Sequence, residues 1–144
     1  MKNLKLTIDL LPRGAWDKNL SKVLPKKEWD AIRHAVYDIA DNKCTICAND
    51  GELHAHEVWH FDIPTKTQTL TDIIALCVPC HGVKHMRHSQ RIGYGNHAKR
   101  HFMKINNCSL SDFAEHFLQA ESLFNERSTV EEWHIKIPDE ITRR

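Results

Sequence analysis

The sequence predicts an α+β protein: a β-hairpin followed by a helix, clamped at its base by two cysteine pairs, with N- and C-terminal helices on either side. Three observations predict it. Two Cys-x-x-Cys pairs, Cys44/Cys47 and Cys77/Cys80, stand 29 residues apart. The segment between them holds two runs of strand character around the turn Ile63-Pro64-Thr65-Lys66. Outside it, apolar residues return at three- and four-residue intervals, the period of an amphipathic helix.

Each element has a local reason. Leu4, Leu6, Ile8 and Leu10 alternate with polar residues, so residues 3–10 read as a strand. Pro12-Arg13-Gly14 breaks it. Pro25 suits a first helical turn, and Trp29, Ile32, Val36 and Ile39 line one face of a helix over about 25–41. Strands follow over 52–61 and 67–76. A helix begins near Pro79, runs to about Arg91 and is ended by Gly93 and Gly95. Ala98, Phe102 and Ile105 mark a short helix with Asn96 as its cap. Ser109 and Asp112 have capping-box spacing before Phe113, Phe117, Ala120 and Phe124. Trp133, Ile135 and Ile137 alternate in a last short strand.

The 144 residues suffice for one domain with its own core, expected over 1–144, with the cysteine-clamped unit at about 42–91. Hydrophobic residues at 41% and charged residues at 27% exclude a disordered or fibrous chain. No run approaches the roughly 20 apolar residues a bilayer span needs. The alternating N-terminus lacks a signal-peptide core. A bacterial-type cytoplasm is the expected compartment, with no membrane partner.

In such a compartment paired cysteines read as metal ligands. Two intervening residues let both thiolates of a pair reach one ion, and four thiolates close a tetrahedral zinc site with no position left for substrate. Cys44, Cys47, Cys77 and Cys80 are therefore expected to hold a structural zinc in a small treble-clef-like module. Cys108 stands alone and reads as a small core residue.

Net charge is +1, but it is unevenly spread: −1 over residues 1–72, +6 over 73–111 and −4 over 112–144. The middle window contains no acid, which marks a candidate phosphate-facing surface. Its cations, Lys84, Arg87, Arg91, Lys99, Arg100 and Lys104, are the expected nucleic-acid contacts. The acidic C-terminal helix reads as an interaction or charge-masking element.

Histidines gather beside the cysteines. His81 follows Cys80, and His85 lies one helical turn on, with His88 continuing the same face. His54 and His56 sit on the first hairpin strand. Ligands on a strand and on the following helix can hold one cation with an edge left open, as a catalytic metal requires.

Together Cys44-Thr45-Ile46-Cys47, Leu53-His54-Ala55-His56-Glu57-Val58, Ala75-Leu76-Cys77-Val78-Pro79-Cys80-His81 and His85 resemble the HNH endonucleases, the ββα-metal nucleases, in their four-cysteine form. The resemblance covers about residues 44–88, and implies a small protein of a bacterium or of a phage-infected host cell. It implies a ββα-metal core and metal-dependent hydrolysis of phosphodiester bonds, in DNA first, with nucleic acid as the partner. His81 and His85 map onto the metal-binding helix positions, and His56 onto a strand ligand. The ion would be magnesium, manganese, nickel or zinc. Glu57 occupies the place of the usual base histidine, and Asp72 about that of the asparagine that orients it. Two outcomes follow from these departures. Glu57 acts as base or ligand with His54 or His60 assisting, or the site is catalytically impaired. The alternative is a non-catalytic zinc-stabilised module of the same descent that binds nucleic acid or protein.

Overall fold

The computed structural model describes residues 3–143. It is α+β, with a small three-stranded sheet surrounded by helices. The helices are α1 (Leu20–Val23), α2 (Lys26–Ile39), α3 (Val78–Lys84), α4 (Met86–Arg91), α5 (Gly95–Asn106), α6 (Leu110–Arg127) and α7 (Asp139–Thr142). The strands are β1 (Leu53–Asp62), β2 (Thr67–Cys77) and β3 (His134–Lys136). Among the described residues, no helix is long and apolar enough to cross a membrane.

The hairpin forms as its pattern predicts. β1 and β2 pair antiparallel, with Leu53 opposite Cys77 and Asp62 opposite Thr67. Asp62 closes the turn by accepting hydrogen bonds from the amide and hydroxyl of Thr65. The register slips between Val58 and Trp59, and the surplus Thr71 donates its hydroxyl to Val58 O at 3.0 Å. β3 adds to β2 in parallel, so β1 is an edge strand. Alternation gives β1 two functions. Leu53 and Ala55 pack with Ile73, Ala75 and the Ile32/Val36 stripe of α2. His54 and His56 take the opposite face, toward α3.

The N-terminal segment corrects the expected strand at 3–10. It runs as an irregular strap. Leu6, Ile8 and Leu10 are buried beside Phe102, Phe113 and Phe124, so the alternation does report a buried face. Side chains of the helices replace a ladder. Asn106 Oδ1 accepts from the amides of Lys5 and Leu6 at 2.8 and 2.9 Å, and its Nδ2 donates to Leu6 O at 2.8 Å. His116 Nε2 accepts from Ile8 N at 2.9 Å.

The helix expected over 79–91 is two helices. His85 breaks it with φ −103° and ψ 52°. The Lys84 carbonyl there accepts from Asp9 N at 3.2 Å, so the strap takes an acceptor that a continuous helix would use. Gly95 opens α5 rather than ending the preceding helix, and Asn96 lies inside α5, not at its cap. A Cβ at Gly95 would meet Gln90 Cγ at 2.9 Å and Gln90 Cα at 3.2 Å, so a larger residue where α4 and α5 meet would have to displace Gln90. The Ser109–Asp112 capping box on α6 forms in full.

Candidate metal centre

The first cysteine pair lies on a turn that the backbone shapes before any metal enters. Ala48 adopts φ 65° and its amide donates to Cys44 O at 2.9 Å. Thr45 N donates to Ala75 O at 2.8 Å, which fastens the turn to β2. The second pair spans the end of β2 and the first turn of α3. The four Sγ atoms lie within 4.8 Å of one another, and Cys47 and Cys77 Sγ are 3.5 Å apart. Sulfurs about 2.3 Å from a shared tetrahedral ion stand about 3.8 Å from each other, so the donor set fits one dication. Without a cation Cys44, Cys77 and Cys80 are mismatched acids. Burial raises Cys80 well above its usual range and pushes Cys77 up to about 11. Burial acts on Cys44 in the same sense, but backbone hydrogen bonds from Cys47, Cys77 and Ile46 outweigh it and bring it to about 7. His101 on α5 places Nε2 3.2 Å from Cys80 Sγ, within reach to donate to a thiolate. In the sequence His101 stands out only as part of the acid-free window.

The second centre is built from His56, His81 and His85. Their ligand nitrogens lie within 4.8 Å of one another. His81 and His85 ring centroids are 4.6 Å apart, and each is 5.4 Å from that of His56. Three protein ligands leave a fourth position open on one ion. All three imidazoles favour the neutral form a metal ligand needs. Burial, with His85 and Lys84 nearby, lowers His56 to about 3. Burial and the neighbouring histidines take His81 to about 3 as well. His85 is lowered by burial and His88, while Asp9 opposes the shift. His54 stands outside the triad, with its Nδ1 2.8 Å from His81 Nδ1 and its Nε2 3.1 Å from Glu52 Oε2. The break at His85 turns His88 away from the triad to an exposed position.

A cleft of about 450 Å³ runs along the free edge of β1 and includes His56, His81, His85, Glu57, Trp29 and Arg127 in its walls. Glu57 points across the strand from His56 and is outside the ligand triad. Its Oε1 accepts from Leu20 N at 3.0 Å and from Trp59 Nε1 at 3.2 Å. Burial raises its pKa, and those two donors oppose the rise. Asp72 is not brought to this cleft. It lies opposite Val58, accepts from Ile73 N at 2.8 Å and lines a separate depression with Val36 and Lys43. Its expected role of orienting a base at the histidines has no geometric support. His60 is exposed nearer the hairpin turn.

The cations divide into two groups. Lys84 is a correction to the expected phosphate surface. It is 7% exposed, and its Nζ bonds Asp9 Oδ2 at 2.8 Å and Thr7 Oγ1 at 2.9 Å. The break after it turns Lys84 inward to the strap. Arg87 is half-buried, paired with Glu121 at 2.8 Å and stacked 4.2 Å from the Phe124 ring centroid. Arg91, Arg100 and Lys104 are exposed, and Lys99 is half-buried. Comparison with protein-family models, with curated proteins and with solved structures finds no match.

Proposed function

We propose that the protein is a metal-dependent endonuclease of HNH type that hydrolyses phosphodiester bonds, DNA first, on a treble-clef-like ββα-metal core. The observation that carries this reading is the His56–His81–His85 triad opening onto a cleft, while the four cysteines form a closed cluster behind it. The cysteines would hold zinc for structure. His56, His81 and His85 would hold a divalent ion, and imidazole ligands favour transition metals over magnesium. Such an ion supplies Lewis-acid polarisation of a phosphate oxygen. Glu57, on the cleft wall, would in its carboxylate form accept a proton from the attacking water. Exposed Arg91, Arg100 and Lys104 would meet the substrate backbone.

One observation favours a second reading, a non-catalytic zinc-stabilised module that binds nucleic acid or protein. Glu57 is held by the Leu20 amide and the Trp59 indole, as a structural carboxylate would be.

Plasmid nicking with manganese, nickel or magnesium, against a metal-free control, separates the two. The nuclease reading expects cleavage that His81→Ala abolishes. Glu57→Gln keeps an acceptor for Leu20 and Trp59, so it should leave the fold intact and cost about 10²–10⁴ in rate. Absence of cleavage with every metal would leave the binding module.

A further inference from the structure

A second groove, of about 420 Å³, meets the histidine cleft at His85, Leu10 and Leu11. Its volume lies in the range of small-ligand pockets. Arg13, Arg87 and Arg91 line it, and no carboxylate does, although Glu121 pairs with Arg87 from beside it. Its apolar side is Phe124, with the guanidinium carbons of Arg87 and Arg13 at 4.2 and 5.6 Å from the ring centroid. Trp16 forms a further wall. Trp16 is 57% exposed, yet its indole is tethered because Nε1 donates to Leu11 O at 2.9 Å. A large aromatic ring held open to solvent among arginines matches a base-stacking platform with its phosphate contacts.

We propose that this groove holds an unpaired nucleotide of a single strand, next to the phosphate that His85 and its partners would face. The inference rests on the nucleic-acid reading above and narrows it. Stacking on Trp16 needs a free base face, and a base inside a duplex has both faces covered by its neighbours. Arg13 and Arg91 would then take the flanking phosphates.

The test measures binding of fluorescein-labelled 12-residue DNA and RNA single strands and of the corresponding DNA duplex, by anisotropy without added divalent metal. The single strands are expected to bind more tightly than the duplex. Trp16→Ala should weaken single-strand binding about tenfold and leave duplex binding unchanged. Trp16→Phe, which keeps a ring but loses the bond to Leu11, should retain affinity. Arg91→Ala should lower the log–log salt slope by about 0.7. The DNA and RNA arms tell which strand the groove takes. Wild-type affinity in Trp16→Ala, or a preference for duplex, overturns the assignment. If that happens while plasmid nicking proceeds, the groove falls and the nuclease stands. Trp16-dependent binding without cleavage under any metal keeps the groove and removes the nuclease. No binding of any strand overturns the groove.

Discussion

His54 and His81 face each other through their Nδ1 atoms at 2.8 Å, and only one of the two can carry the proton between them. With Nδ1 so engaged, Nε2 is the His81 nitrogen left for a metal. His81 Nδ1–H then donates to His54, whose own proton moves to Nε2 and points to Glu52 Oε2, 3.1 Å away. With an ion at His81 Nε2, Glu52, His54 and His81 would form a chain in which each ring's tautomer is set. Such outer partners fix the ring orientation of a metal ligand and raise its basicity.

His54→Ala is therefore expected to weaken metal binding at the histidine triad about 10–100-fold. Glu52→Gln should cost less, because that carboxylate is 73% exposed and screened by water. Competition titration with a metal-binding dye checks both. Equal affinity in His54→Ala and the wild type would remove the chain from the metal's support.

The cysteine cluster makes a stoichiometric prediction. Protein purified without chelators should hold one tightly bound zinc, and Cys77→Ser should lose it. Binding energy at such a site is folding energy, so the β1 and β2 amides should lose hydrogen-exchange protection in that variant. Cys108→Ser, at a position outside the cluster, should keep the metal. Elemental analysis decides the first point and exchange mass spectrometry the second.

Acid should destabilise the metal-free chain through the histidines. In the folded state His56 and His81 are lowered to about 3, against an ordinary value of 6.5. Between those values the unfolded chain binds more protons, so the stability present above pH 6.5 is lost as pH falls. Glu57, raised by burial, works in the opposite sense above its ordinary value of 4.5. Urea midpoints at pH 7.5 and pH 5 should show the loss, and His56→Gln should flatten it. Added metal should raise the midpoint more at pH 7.5 than at pH 5, because protons compete for the same nitrogens.

The strap depends on one amide side chain. Asn106→Ala removes two accepted and one donated hydrogen bond and strands the part-buried polar groups of Leu6. A cost of about 2–3 kcal/mol is expected. Urea unfolding should register it as a shifted midpoint with an unchanged slope.

The hairpin, α2, α6 and both ligand clusters are legible in the sequence because local signals specify them: alternation, helical spacing, a capping box, and cysteines at fixed intervals. The strap is not. Leu6, Ile8 and Leu10 announce a buried face, but nothing local tells whether a strand or the side chains of Asn106 and His116 will satisfy the amides between them. The same long-range contact hides the break at His85 and the inward turn of Lys84, since both depend on Asp9, some 75 residues away in sequence. Glu57 reads as a base or a ligand from its place in a motif. Its engagement by Leu20 and Trp59 becomes visible only once α1 has folded against β1.

Cys80 and His81 are consecutive, so the last thiol of one cluster and a ligand of the other share a peptide bond at the start of α3. Filling either centre therefore restrains the torsions that aim the other. Loading becomes a thermodynamic cycle: an ion among the sulfurs should tighten the histidines' hold on theirs, and by reciprocity the second should raise the sulfurs' affinity for the first by the same factor. A chain deprived of an ion at the sulfurs would then bind a cation at the histidines more weakly, before any histidine had changed.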